Sequence, residues 1–208
     1  MKILFISLGC DKNLADSEEM LGLLTGNGHE IVDSEEEADA IVINTCCFIH
    51  DAKEESVNTI LEMAKKKKTG TCKILIVTGC MAQRYKEEIT KEIPEVDAVL
   101  GTTSYGDIVK ALNEAEAGHV FREFKDINAL PEDSGRRVIT TGGHFGYLKI
   151  AEGCDKHCTY CIIPSLRGKF RSVPEERLLK QAEYMASQGV RELILVAQET
   201  TVYGTDLY

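Results

Sequence analysis

Lys73-Ile-Leu-Ile-Val-Thr-Gly-Cys80 is a short apolar, β-branched run that turns on a glycine into a cysteine. Such a run bounded by a turn residue reads as a strand. The same grammar recurs upstream in Lys2-Ile-Leu-Phe-Ile-Ser-Leu-Gly-Cys10 and Ala40-Ile-Val-Ile-Asn-Thr-Cys46. Strands are predicted at Lys2–Ser7, Ala40–Asn44, Lys73–Thr78 and Ala98–Leu100, with a weaker one at Glu30–Val32. Helical patterns lie between them. Asp16-Ser17 caps a helix through Leu24 that stops at Gly26, and Asp51 or Ala52 opens a long one with Val57, Ile60, Leu61 and Ala64 on one face. Gln83–Ile93 and Asp107–Ala117 follow. Strands alternating with helices predict βαβ units and a parallel sheet, an α/β domain over residues 1–117.

The text turns irregular over residues 118–144, with Pro131-Glu-Asp-Ser-Gly135 and Gly142-Gly143, and this stretch reads as a linker. A second module is expected over 145–208: a strand at Tyr147–Ile150, a cysteine-bearing loop, a helix from Pro174 to Gly189, and a strand at Glu192–Ala197. A closed eight-stranded βα barrel needs ~250 residues. The chain therefore reads as the opening part of a longer protein, with only the first βα units of a partial barrel.

Eight cysteines in 208 residues, with neither a signal-peptide pattern nor an apolar run of membrane-spanning length, point to a cytosolic chain whose thiols bind metal or do redox chemistry. The net charge of −10 disfavours nucleic acid as the main partner. The run Lys65–Lys68 reads as the solvated end of a helix, complementing its dipole, in preference to a nucleic-acid patch.

Cys154-Asp-Lys-His-Cys158-Thr-Tyr-Cys161 places three thiols at CxxxCxxC spacing. A cubic iron–sulfur cluster held by three thiolates keeps one iron open to a substrate or cofactor. The competing zinc reading needs a fourth ligand. His157, adjacent to a cysteine ligand, has poor reach to the same metal, and no second Cys or His pair follows. Cys10, Cys46 and Cys80 each follow a strand, and in a parallel sheet the carboxyl ends of the strands share the edge where ligands bind. Three thiols then converge as a second cluster site, with glycines before Cys10 and Cys80 allowing a sharp turn and close approach to the cluster. The alternative is that these three are buried small hydrophobes. Cys72 precedes its strand and belongs to the opposite edge; Cys46 is preferred to its neighbour Cys47 as ligand.

The CxxxCxxC motif with Tyr160 before its last cysteine resembles the radical S-adenosylmethionine (SAM) enzymes. The N-terminal triad, with Asn13, Asp16-Ser-Glu18 and Asn44-Thr-Cys46, is similar to the methylthiotransferases among them, and Ser7-Leu-Gly-Cys-Asp-Lys-Asn-Leu-Ala-Asp-Ser-Glu18, Cys47–Ser56 and Ile150–Cys154 to their ribosomal-protein branch. Cys47 departs from that branch, where glycine is more usual.

The resemblance implies two 4Fe-4S clusters, one on Cys154, Cys158 and Cys161 that binds SAM and generates a deoxyadenosyl radical, and an auxiliary one on Cys10, Cys46 and Cys80 that delivers sulfur. The substrate implied is the β-carbon of an aspartate in a small-subunit ribosomal protein, a second SAM donating the methyl group, with a flavodoxin or ferredoxin as reductant. Gln198 and Glu199, ending the second barrel strand, are candidate contacts for the SAM amino group. Arg167 and Arg171 are candidates for a carboxylate of SAM or substrate, or else surface arginines. The alternatives are the same chemistry on a tRNA adenosine, a two-cluster electron-transfer module and a cluster-free structural role. A chain of this length is expected to assemble clusters without completing turnover.

Overall fold

The computed structural model describes residues 1–132 and 135–208; Asp133 and Ser134, within the expected linker, lie outside the described residues. β1 (Lys2–Ser7), β2 (Glu30–Val32), β3 (Ala40–Thr45), β4 (Ile74–Gly79), β5 (Ala98–Leu100) and β6 (Phe121–Glu123) form one sheet in the order β2-β1-β3-β4-β5-β6. Every pairing in it is parallel. β3 and β4 are buried along their whole length, the reason they are written as near-continuous apolar runs. The chain steps from β1 outward to β2 and then back across β1 to β3. That reversal makes the carboxyl end of the β1–β3 pair a topological switch point, where doubly wound sheets bind ligands.

Alternate residues of the central strands feed opposite faces. Ile41, Ile43, Leu75 and Val77 pack with Ile60 and Met63 of α2 (His50–Thr69), Met81 of α3 (Cys80–Arg84) and Ile89 of α4 (Lys86–Glu92). Val42, Ile74 and Ile76 pack with Met20 and Leu24 of α1 (Asp11–Gly26) and with Ile108 and Leu112 of α5 (Ile108–Glu116).

The expected strands and helices are present, with instructive shifts. α1 starts at Asp11, directly after Cys10, so Asp16 and Ser17 lie inside the helix and cap nothing. Ser17 Oγ instead donates to Asn13 O one turn back at 2.9 Å, and the Asp16 carboxylate is taken by distant cations. The helix expected over Gln83–Ile93 starts earlier and breaks at Tyr85 into α3 and α4. β6 lies inside the stretch expected as linker; its three residues, Phe121-Arg-Glu, carry no strand pattern and are held by pairing with β5. The lysines at the end of α2 are partnered: Lys66 with Glu35 and Lys67 with Asp97, each at 2.5 Å, and Lys68 with Glu95.

In the second module β7 (Phe145–Lys149) and β10 (Glu192–Val196) pair in parallel across α7 (Glu175–Ser187), a βαβ unit. β8 (Ala151–Glu152) pairs antiparallel with β9 (Arg171–Ser172). Leu148, Ile150, Val173, Leu178, Met185 and Val190 form its core. α6 (Ile163–Arg167) docks elsewhere: Leu166 belongs to the core of the first sheet, and its carbonyl accepts from Thr102 Oγ1 at 2.7 Å. No helix among the described residues is long and apolar enough to cross a membrane.

Candidate functional site

The three strand-end cysteines stand at the switch-point edge. Cys10 is the residue before α1, Cys46 follows β3 directly, and Cys80 opens α3. Gly9 and Gly79 have φ of 96° and 91°. A Cβ at Gly9 would sit 2.8 Å from Cys46 Cβ, and one at Gly79 would sit 2.5 Å from Thr45 O. What those glycines make room for is the neighbouring cysteine loop, a protein neighbour where the sequence suggested a cluster. Ser56 of α2 clamps Cys46 by donating to its carbonyl at 2.7 Å and accepting from its N–H at 3.0 Å.

Cys154 follows β8 through Gly153, and its N–H donates to Gly168 O at 3.1 Å; the Cys161 N–H closes a turn on Cys158 O at 3.0 Å. The two loops face one cavity of about 680 Å³, lined by Cys10, Cys46, Cys80, Cys154, Cys158 and Cys161 together with Gln198 and Glu199. That volume suits a cofactor-sized ligand. Cys47 and Cys72 are outside it. Cys47 packs in the core with its thiol pushed up to about 11 by burial, and Cys72 is buried at the opposite edge, bonded to Ile74 O. Among the described residues no three Cys, His, Asp or Glu side chains are drawn together to clasp a single ion. Six thiols spread on a cavity wall suit a larger inorganic group, and thiolates are the donors iron–sulfur clusters take.

Around the thiols the polar groups divide by commitment. The Gln198 amide, Nε2 and Oε1, is buried without a hydrogen-bond partner. Glu199 is ion-paired to Lys156 of the cysteine loop and bonded to Thr201, which keeps its carboxyl ionised below the usual range. Arg167, expected either as a carboxylate ligand or at the surface, is 2% exposed and already engaged: Asp16 at 2.7 Å, Asn13 Oδ1 at 2.5 Å and Glu152 at 3.4 Å. Arg171 Nη1 bonds the Arg167 and Lys169 carbonyls, while its Nε and Nη2 are buried without a hydrogen-bond partner. His157 is exposed.

Sequence reasoning missed the charged seam that holds the two loops face to face. α1 contributes Asp16, Glu18 and Glu19. Asp16 meets Lys149 and Arg167, Glu152 meets Lys149 at 2.5 Å, and Glu18 holds Arg137 at 2.5 Å and the N–H of Thr140 at 2.7 Å. Burial opposes the Lys149 charge, but Asp16 and Glu152 outweigh it and hold its pKa well above the lysine range. Burial likewise opposes the Glu152 charge, and Lys149 and Arg167 overcome it, so its pKa is depressed. The one signal available was a run of acids, Asp16-Ser-Glu-Glu19, on a helix that the apolar pattern buries.

Residues 2–101 match the model of the uncharacterized protein family UPF0004, and residues 148–207 match the radical SAM superfamily. The fold and the cysteine loop thus define a radical SAM protein with an N-terminal parallel α/β domain, a class that carries SAM and an iron–sulfur cluster. The chain belongs to the radical SAM methylthiotransferase family. Over all of its length it is 65% identical to the ribosomal protein uS12 methylthiotransferase RimO of Lachnoclostridium phytofermentans and 51% identical to that of Clostridioides difficile. It spans about half the length of these curated relatives, 47% of each.

Proposed function

We propose that this chain is the cluster-bearing part of a cytoplasmic radical SAM methylthiotransferase that adds a methylthio group to the β-carbon of an aspartate in a small-subunit ribosomal protein. One observation carries the reading: six thiols, three from each domain, line the same cavity. Cys154, Cys158 and Cys161 would hold one 4Fe-4S cluster and Cys10, Cys46 and Cys80 a second, each three-thiolate set leaving one iron for an exogenous ligand. When bound, the clusters and SAM supply radical generation and sulfur, with a flavodoxin or ferredoxin as electron source.

The chain's own residues bind and orient. The unpartnered Gln198 amide has both a donor and an acceptor for the amino and carboxylate groups of SAM. Glu199 orients the cysteine loop through Lys156, and its charge is already answered there, so Gln198 is the better SAM contact. Phe48, Ile49 and Tyr160 add apolar surface to the cavity lining. The lysines of Lys65–Lys68 that are ion-paired to neighbouring carboxylates leave the tRNA alternative without a basic patch there. An electron carrier would complete its ligand sets with a fourth cysteine.

The test is anaerobic reconstitution with iron and sulfide. About eight irons per chain are expected, falling to about four when Cys154, Cys158 and Cys161 are all changed to Ala. The electron paramagnetic resonance of the reduced protein should respond to SAM only when those three cysteines are intact. About four irons in the unaltered chain would remove the sulfur-delivering cluster and with it the proposed reaction.

A further inference from the structure

Asn13 is fully buried, and its carboxamide touches all three loops that carry the strand-end cysteines. Nδ2 donates to Leu8 O and to Thr45 O, both at 3.0 Å, just ahead of Cys10 and Cys46. Oδ1 faces Cys80 Sγ at 3.7 Å. The same Oδ1 accepts from Arg167 Nη2 at 2.5 Å. One amide therefore gauges the separation of three thiols that belong to three different strands.

Arg167 arrives from the other domain, at the end of α6 and directly after the loop of Cys154, Cys158 and Cys161. Asp16 and Glu152 fix its guanidinium, which shares the Asn13 Oδ1 acceptor with the Cys80 thiol and lines the same cavity. A cysteine that binds iron has lost its proton and can no longer donate to Asn13 Oδ1. Arg167, held on that same oxygen, then remains as the fixed donor and positive charge on the cavity wall that carries Cys80. Hydrogen bonds and positive charge at a coordinating sulfur favour the more negative, reduced cluster and so raise its potential.

We infer that Asn13 and Arg167 are positioning residues of the strand-end cluster: Asn13 sets the spacing of its three thiolates, and Arg167, supplied by the radical SAM domain, raises its reduction potential. The inference rests on the two-cluster reading. It makes the redox setting of one cluster depend on the seating of the domain that holds the other.

The test uses the 208-residue chain with Cys154, Cys158 and Cys161 changed to Ala, so that the strand-end cluster is measured alone in a potentiometric titration followed by electron paramagnetic resonance. Arg167→Gln is expected to keep about four irons. Its reduction equilibrium should move at least tenfold toward the oxidised form, about 59 mV for a one-electron couple. Arg167→Lys, which keeps the charge and loses the planar fork, should fall between the two. Asn13→Ala, in the chain with all six cysteines, should lower iron at the strand-end site and leave the SAM-responsive signal of the other cluster intact.

If the triple-Ala chain with Arg167 present binds no iron, the two-cluster reading itself fails. If it binds iron and both Arg167 variants titrate at the unaltered potential, the reading stands and the inference is overturned. Loss of iron from Arg167→Lys in a chain that keeps its native circular dichroism also overturns it, because the guanidinium then serves assembly alone.

Discussion

At Gly79 the chain leaves β4 with φ 91° and ψ −159°, a region that in practice only glycine occupies. A Cβ there would meet Thr45 O at 2.5 Å and Thr45 N at 2.8 Å, backbone atoms pinned in β3 that have no room to yield. Gly79→Ala is expected to cost at least about 2 kcal/mol, read from the denaturant midpoint, and to reduce iron at the strand-end site. The neighbouring pair Cys46 and Cys47 makes a sharper comparison. Cys46 lines the cavity, whereas Cys47 is 2% exposed, with its thiol pushed to about 11, and lies in the core. Cys46→Ala should lose about four irons and Cys47→Ala none, although the latter should cost about 1 kcal/mol of packing. Iron loss from Cys47→Ala with Cys46→Ala unaffected would reverse the assignment. The cysteines were legible in the sequence because a thiol after a strand signal carries its own chemistry and its own place on the sheet. Arg167 was not, because whether an arginine lies on the surface or in a buried pair depends on a partner 151 residues away.

α1 is the element on which both halves of the molecule depend. Its apolar residues Met20 and Leu24 face the sheet, and its acidic residues Asp16, Glu18 and Glu19 are buried as well, against the second module. Capping preferences put Asp16-Ser17 at the helix start, but the turn forced at Gly9 starts the helix at once, and the acids then fall on its inner face. Removing one partner from a buried, hydrogen-bonded charge set strands the rest, so Asp16→Ala should destabilise by about 3–5 kcal/mol. Glu19 behaves in the opposite way. It has a hydrogen bond from Tyr105 Oη at 3.1 Å but no ion pair among the described residues, and burial raises its pKa above the ordinary 4.5. A carboxyl whose folded pKa is raised favours folding below its unfolded pKa, and that contribution is lost as pH rises through the folded value. Glu19→Gln, which keeps an acceptor for Tyr105 and never ionises, should therefore raise the melting temperature at pH 7 and leave it nearly unchanged at pH 4. Every factor of ten by which burial disfavours the carboxylate is worth about 1.4 kcal/mol. An equal rise at both pH values would assign the gain to packing and not to the charge.

Over the whole molecule, two modules with separate cores meet on a seam of buried ions, and the cavity opens beside it where both cysteine loops end. The parallel sheet, the βαβ unit and the two cysteine sets follow from periodicity and spacing, which are local properties of a chain. The seam is a property of two chain segments more than a hundred residues apart, as in Glu18 with Arg137 or Asp16 with Lys149, and no window of sequence contains both sides. Its charge state sets a pH window. The Glu152 pKa is depressed in the fold, so its contribution is full above the unfolded value of 4.5 and is lost as pH falls through the lower folded value. The Lys149 pKa is raised, so its contribution is full below 10.5 and is lost only as pH rises through the higher folded value. Between those limits Glu152 holds Lys149 charged within its own module, and the bond from Lys149 to Asp16 of α1 joins the two modules. Lys149→Met leaves Asp16 and Glu152 with Arg167 as their remaining close cation, and should cost about 3–5 kcal/mol at pH 7. The deficit against the unaltered chain should shrink at pH 3.5, below the unfolded value of 4.5, because Glu152, left without Lys149 in the variant, can protonate there and shed the cost of its buried charge. Urea midpoints at the two pH values measure it, and a deficit of equal size at both would mean that Lys149 acts through its aliphatic stem and that the seam is held by packing.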